Sequence, residues 1–118
     1  MAVTGIGGLF FRAQDHTALA AWYLEHLGVG AGPGAYVWGQ QAGPTVFAPF
    51  KADTDYFPAD KQWMLNLRVD DLDAHMASLR AAGIEIITKA EWNSPEVGRF
   101  ARIRDPEGNQ IELWQPAA

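Results

Sequence analysis

A chain of 118 residues and 12.9 kDa, 48% apolar and 19% charged, has the size of one domain with a real core and not the composition of a disordered protein. Its formal charge of −5, with scattered arginines and no basic stripe, excludes nucleic acid as an expected partner, and no apolar run approaches the roughly 20 residues that span a bilayer, so no membrane partner is expected. Without cysteine there are neither disulfides nor thiolate metal sites, and residues 1–5 lack the basic start and apolar run of a secretory signal, so a cytoplasmic location is expected.

Residues 5–13 alternate like a strand, with Leu9 and Phe11 on one face and Gly8, Phe10 and Arg12 on the other. Asp15 then opens a helix. Leu19, Ala20, Trp22, Tyr23 and Leu27 recur at helical spacing up to Gly28, and this helix is expected to cover the Leu9/Phe11 face. A short strand near Val29 and a glycine-rich turn lead to two more expected strands, 35–40 and 45–50, joined at Ala42-Gly43-Pro44. Residues 51–61, holding Asp53, Asp55, Pro58 and Asp60 around Tyr56 and Phe57, read as a linker. Beyond it come a strand at 62–69, a cap at Asp70 or Asp71, a helix through Leu72, Met76 and Leu79 to Gly83, and strands at 85–92, 98–104 and 110–115. Asp105-Pro106-Glu107-Gly108-Asn109 between the last two is turn chemistry, with Pro fixing φ and Gly free to take a positive one.

The two halves repeat one another. Gly8-Leu9-Phe10-Phe11-Arg12-Ala13-Gln14-Asp15 aligns with Met64-Leu65-Asn66-Leu67-Arg68-Val69-Asp70-Asp71, and both Arg and both Asp coincide. Asp105-Pro106-x-Gly108-Asn109-x-Ile111-Glu112-Leu113, the helix ending Trp22-Tyr23-x-x-x-Leu27-Gly28, and Val69-Asp70-Asp71-Leu72 together resemble the vicinal oxygen chelate superfamily. That superfamily contains glyoxalase I, extradiol dioxygenases, and fosfomycin- and bleomycin-resistance proteins. The resemblance implies an α+β fold in which two βαβββ modules form an open, cup-shaped mixed sheet with helices on its outer face. On this reading 1–118 is a single domain, with module one at 1–50, a linker at 51–61 and module two at 62–118. It also implies a homodimer, since single-domain members commonly pair, and a small domain rarely hides five Trp alone.

In the superfamily a divalent metal usually sits in the cup on side chains from four strands. The internal repeat places those positions at Gly8, Phe47, Met64 and Glu112. One carboxylate and one thioether do not replace the hydration shell of a divalent cation, and His16, His26 and His75 fall on or beside helices, so neither a metal nor a cofactor is expected.

Parity puts Gly8, Phe10, Arg12, Thr45, Phe47, Met64, Asn66, Arg68, Phe100, Arg102, Gln110, Glu112 and Trp114 on the cup face. Aromatic and Met walls with a few polar groups are the composition of a small-molecule pocket. Arg12, Arg68 and Arg102 face one Glu112, and guanidinium forks bind carboxylates bidentately, so the expected ligand is a small anionic organic molecule held without a metal. The alternative places Arg12 and Arg68 at the rim, solvated or paired with Asp15 and Asp71. The candidate ligand-binding residues are thus Arg12, Phe47, Met64, Asn66, Arg68, Phe100, Arg102 and Trp114, with Trp38, Trp63, Trp92 and Tyr36 available to close the pocket. Glu112 is the candidate catalytic residue: among apolar neighbours desolvation suits it to take up a proton, whereas an adjacent Arg holds it ionised. Two further readings stay open, a lyase or isomerase that enolises a carbonyl compound with Glu112 as base, and a drug-binding module of the bleomycin-resistance type.

Overall fold

The computed structural model describes residues 2–118 as a mixed α+β fold with two helices and a three-stranded sheet. Helix α1 (His16–Leu27) starts where Asp15 accepts a hydrogen bond from the Ala18 N–H, 3.0 Å away, and stops at Gly28, whose φ of 65° is left-handed. Its buried stripe is Leu19 and Tyr23. Helix α2 (Leu72–Ala81) begins the same way, Asp71 accepting from Ala74 N–H at 3.1 Å, and buries Leu72, Met76 and Leu79, spaced four and three residues apart. Gly83, with φ 79°, turns the chain out of it. At both helices the internal repeat is real structure: an Asp cap, an apolar stripe and a left-handed glycine.

The sheet comprises β1 (Leu65–Arg68), β2 (Gly98–Arg104) and β3 (Gln110–Pro116), in the order β1-β3-β2. Strand β3 is central, parallel to β1 and antiparallel to β2, so Asn66 and Arg102 both stand opposite Glu112. Asp105-Pro106-Glu107-Gly108-Asn109 makes the β2–β3 turn, where the left-handed Gly108 (φ 82°) donates its N–H to the Asp105 carbonyl at 3.0 Å. One sheet face buries Ala101, Ile103, Ile111 and Leu113 against the stripes of α1 and α2, each fully buried Leu or Ile contributing about 2 kcal/mol by leaving water. Alternation thus predicted the second half's faces correctly. No helix among the described residues is long and apolar enough to cross a membrane.

The first half departs from expectation. Residues 5–13, 35–40 and 45–50 and the segment near Val29 form no strand, and the expected strand 85–92 is reduced to one bridge, Ile87 to Arg102, and a single 3-10 turn, Ala90–Trp92. Both edges of β3 are taken by β1 and β2, and the alternating segments of the first half do not pair with the outer edges that β1 and β2 present. Leu9, expected beneath a helix, is 48% exposed, and Val46, in the expected strand 45–50, is 65% exposed. Phe11 reaches the helix as predicted, its ring 6.4 Å from Tyr23 and 4.9 Å from Trp63, but stays 37% exposed. The radius of gyration, 14.8 Å, exceeds the roughly 13.5 Å of a compact chain this long, in keeping with segments that lie open.

Candidate functional site

The sheet face away from the helices carries Asn66 and Arg68 from β1, Phe100 and Arg102 from β2, and Gln110, Glu112 and Trp114 from β3. Glu112 stands at its centre, half-buried. Its Oε1 accepts from Asn66 Nδ2 at 2.7 Å and its Oε2 from the Tyr56 hydroxyl, a short hydrogen bond. Both carboxylate oxygens are therefore oriented by donors, as an ionised carboxylate prefers. Burial, and then the hydrogen bond and negative charge of Glu112, push the Tyr56 phenol up to about 12 even though Arg102 pulls the other way, so Tyr56 is a donor throughout the physiological range.

Arg102 is stacked over two rings, its guanidinium carbon 4.9 Å from the Tyr56 centroid and 4.7 Å from that of Trp92. One of its N–H groups donates to the Tyr56 carbonyl at 3.3 Å. Gln110 Nε2 donates to the same carbonyl at 2.9 Å and reaches the Met64 sulfur at 3.1 Å. Phe100 and Trp114 stack nearly parallel, 6.2 Å apart, while Trp114 Nε1 donates to the Val97 carbonyl. Phe50, Tyr56, Trp92, Phe100 and Glu112 together line a cleft of about 260 Å³. Its aromatic walls and single acceptor suit a flat molecule that brings a donor.

Of the residues predicted from sequence, Glu112, Asn66, Arg102, Phe100, Trp114 and Met64 gather here. Arg68 turns instead to the loop at 41–45, donating to the Pro44 and Gln41 carbonyls at 2.6 and 2.7 Å and to Thr45 Oγ1 at 3.1 Å. Arg12 and Phe47 lie exposed, Phe47 at 85%, in the first half that forms no strand. Tyr56 was missed, because a segment of Asp, Pro and turn residues reads as linker. The signal was present in the aromatic pair Tyr56-Phe57 amid that polarity.

The superfamily's metal does not fit this donor set. Glu112 already holds two hydrogen bonds, Gly8 and Phe47 offer no donor, and Met64 offers only a thioether. Among the described residues no three His, Cys, Asp or Glu side chains gather, and His16, His26 and His75 lie on α1 and α2. A larger cavity of about 390 Å³ adjoins Trp22, Ile84 and Asp105. Asp105 is saturated there by Tyr23, Asn109 and two backbone N–H groups, and the other carboxylate on its lining, Glu85, is exposed to solvent instead of being walled by aromatic rings as Glu112 is.

Comparison with known proteins adds kinship to this geometry. TnmS3, an antibiotic-binding protein from Streptomyces sp. CB03234, superposes with a TM-score of 0.60 at 28% identity, covering 99% of both chains. The proteins named "Putative glyoxylase CFP32" in Mycobacterium bovis and Mycobacterium tuberculosis are 40% identical over 55 residues, which is 47% of this chain and 21% of theirs. The chain thus spans about a fifth of the length of these curated relatives. The sequence model of the glyoxalase-like domain matches residues 8–114, nearly all of the chain. The chain therefore belongs to the glyoxalase-like domain family, within the vicinal oxygen chelate superfamily.

Proposed function

We propose that this protein binds, without a metal, a small organic molecule with a flat apolar body and an anionic group, in the cleft over Glu112. The observation that carries the reading is Arg102. The arginine ion pair among the described residues is Arg99 with Asp73, so the Arg102 guanidinium lies against two aromatic rings without an acidic partner and with most of its N–H groups unspent. A cation so placed attracts an anion carried on a flat ring. The antibiotic-binding TnmS3, alike over its full length, supports a binding role. The lyase or isomerase reading, with Glu112 as base, comes second because both Glu112 oxygens are engaged. A cationic drug of the bleomycin type suits Arg102 less.

A cytoplasmic homodimer completes the proposal. Phe10, Tyr36, Val37 and Phe47 are each more than four-fifths exposed, and the strand-like segments that carry them lack a ladder. A second copy offers both an apolar surface and a matching edge.

The function is tested by calorimetric titration with 2-naphthoate against 2-naphthylmethylamine, which share a ring and differ in charge. The carboxylate is expected to bind more tightly, Arg102→Ala to weaken it by about 1.5–3 kcal/mol, and chelators to leave it unchanged. Equal affinity for acid and amine, or an unaffected Arg102→Ala, overturns the anionic reading. Turnover of a carbonyl substrate lost in Glu112→Gln would move the protein to the enzyme reading.

A further inference from the structure

We propose that Tyr56 occupies the ligand's own place, and that the site takes a planar hydroxyarene whose phenolic hydroxyl donates to Glu112 once the Tyr56 ring has moved aside. The inference rests on the proposed function, a flat anionic ligand in this cleft, and adds the group that recognises it.

Three observations carry it. First, the Tyr56 side chain is itself a hydroxyarene bound in the site. Its hydroxyl is on Glu112, its ring lies 4.9 Å from the Arg102 guanidinium, and Phe50 and Trp92 flank it at 5.9 and 6.4 Å. The pocket is thus already complementary to a phenol.

Second, Glu112 is held as an acceptor. Asn66 Nδ2 fixes Oε1, which leaves Oε2 aimed at whatever lies over the sheet. An ionised carboxylate has no proton to give, so a ligand that displaces Tyr56 without bringing its own donor leaves that oxygen with only water.

Third, the tyrosine ring is built to leave. Residues 51–61 form turns, tied internally by Thr54 N–H to the Lys51 carbonyl and Lys61 N–H to the Pro58 carbonyl, both 3.0 Å. Every hydrogen bond from this segment to the sheet, among the described residues, passes through Tyr56. Two of those use its carbonyl, from Gln110 and Arg102, and survive rotation of the side chain. Only the hydroxyl bond and the ring contacts must be exchanged. The burial that keeps the Tyr56 phenol protonated acts alike on an incoming phenol, which therefore arrives as a donor.

The test is calorimetric titration of the full chain with 6-hydroxy-2-naphthoate and 2-naphthoate, on the wild type, Tyr56→Phe and Glu112→Leu. In the wild type the hydroxyl is expected to tighten binding about tenfold, the worth of one hydrogen bond to a carboxylate. Tyr56→Phe removes the competing hydroxyl and is expected to tighten both arenes about fivefold, preserving the preference between them. Glu112→Leu is expected to erase the preference. Should that variant fail to fold, the first two proteins decide the matter. Weaker binding of 6-hydroxy-2-naphthoate to Tyr56→Phe would make Tyr56 a fixed wall and overturn the inference. Binding of 2-naphthoate with no gain from the hydroxyl would overturn it too, leaving the broader reading intact, and binding of neither arene would overturn both.

Discussion

Tyr23 and Asp105, 82 positions apart, meet through a buried 2.7 Å hydrogen bond from the phenol to Oδ2. The bond joins α1 of the first half to the β2–β3 turn of the second. Asp105 also accepts from Asn109 Nδ2 at 2.7 Å and from the N–H groups of Glu107 and Asn109 at 2.9 and 3.0 Å. Glu107 extends the link, its carboxylate accepting from the N–H groups of Gln14 and Asp15 ahead of α1. The aspartate that reads as a turn residue is thus a junction between the halves.

Tyr23→Phe is expected to lower unfolding free energy by about 1.5–3 kcal/mol, since it removes a donor from a buried carboxylate without changing the ring's packing. Urea denaturation reads the loss. An unchanged midpoint would show that water replaces the phenol and that the junction is not rigid.

Gly98 begins β2 with φ 125°, and a Cβ there would stand 2.1 Å from the Gln115 carbonyl oxygen. Neither the angle nor the backbone contact yields to a side-chain movement, so Gly98→Ala is expected to cost at least about 2 kcal/mol and to disturb the β2–β3 ladder. Thermal unfolding with circular dichroism measures it. Gly108→Ala is the contrast, for although φ is 82° its Cβ meets nothing, so strain acts alone and the loss is smaller.

Tyr56 gives the protein an alkaline sensitivity of defined sign. Its folded-state value, about 12, lies above the ordinary phenol's, about 10, so its contribution is fully present below pH 10 and lost as the pH rises toward 12. The difference in stability between wild type and Tyr56→Phe is therefore expected to shrink across that interval, by denaturant titration at fixed pH steps. Tyr23, also raised by burial and by Asp105, is common to both proteins and cancels. A constant or growing difference would remove Tyr56 from its place on Glu112.

Arg68 and Arg102 are expected to separate on mutation. Arg68→Ala frees the Gln41, Pro44 and Thr45 contacts and should speed proteolysis within 41–45 while changing naphthoate affinity little. Arg102→Ala should do the reverse. Equal loss of affinity in both would return Arg68 to the ligand.

The homodimer is expected to appear at micromolar concentration as twice the chain mass in size-exclusion chromatography with light scattering. Replacing Phe10 and Phe47 with Asp should yield the monomer, because both are exposed on segments without a ladder. A single-chain mass for the wild type sinks the idea.

Sequence alone determined what is local or periodic. Asp15 caps a helix because a carboxylate reaches the N–H three residues on, the second cap was narrowed to Asp70 or Asp71, of which the fold uses Asp71, Gly28 ends a helix because it tolerates a left-handed φ, and alternation put Glu112, Asn66 and Arg102 on one face and Ile111 and Leu113 on the other. The family motifs were legible for the same reason, being contiguous. Tertiary structure alone decided which alternating segments become strands, since a ladder needs an edge that the segment itself cannot supply, and residues 5–13 and 45–50 do not pair with the outer edges of β1 and β2. It also decided the partners of each polar group. Whether Arg68 meets a ligand or three loop oxygens, and whether residue 56 is a spacer or the phenol on Glu112, depends on chain segments more than 20 residues away, whose approach no spacing in the sequence records.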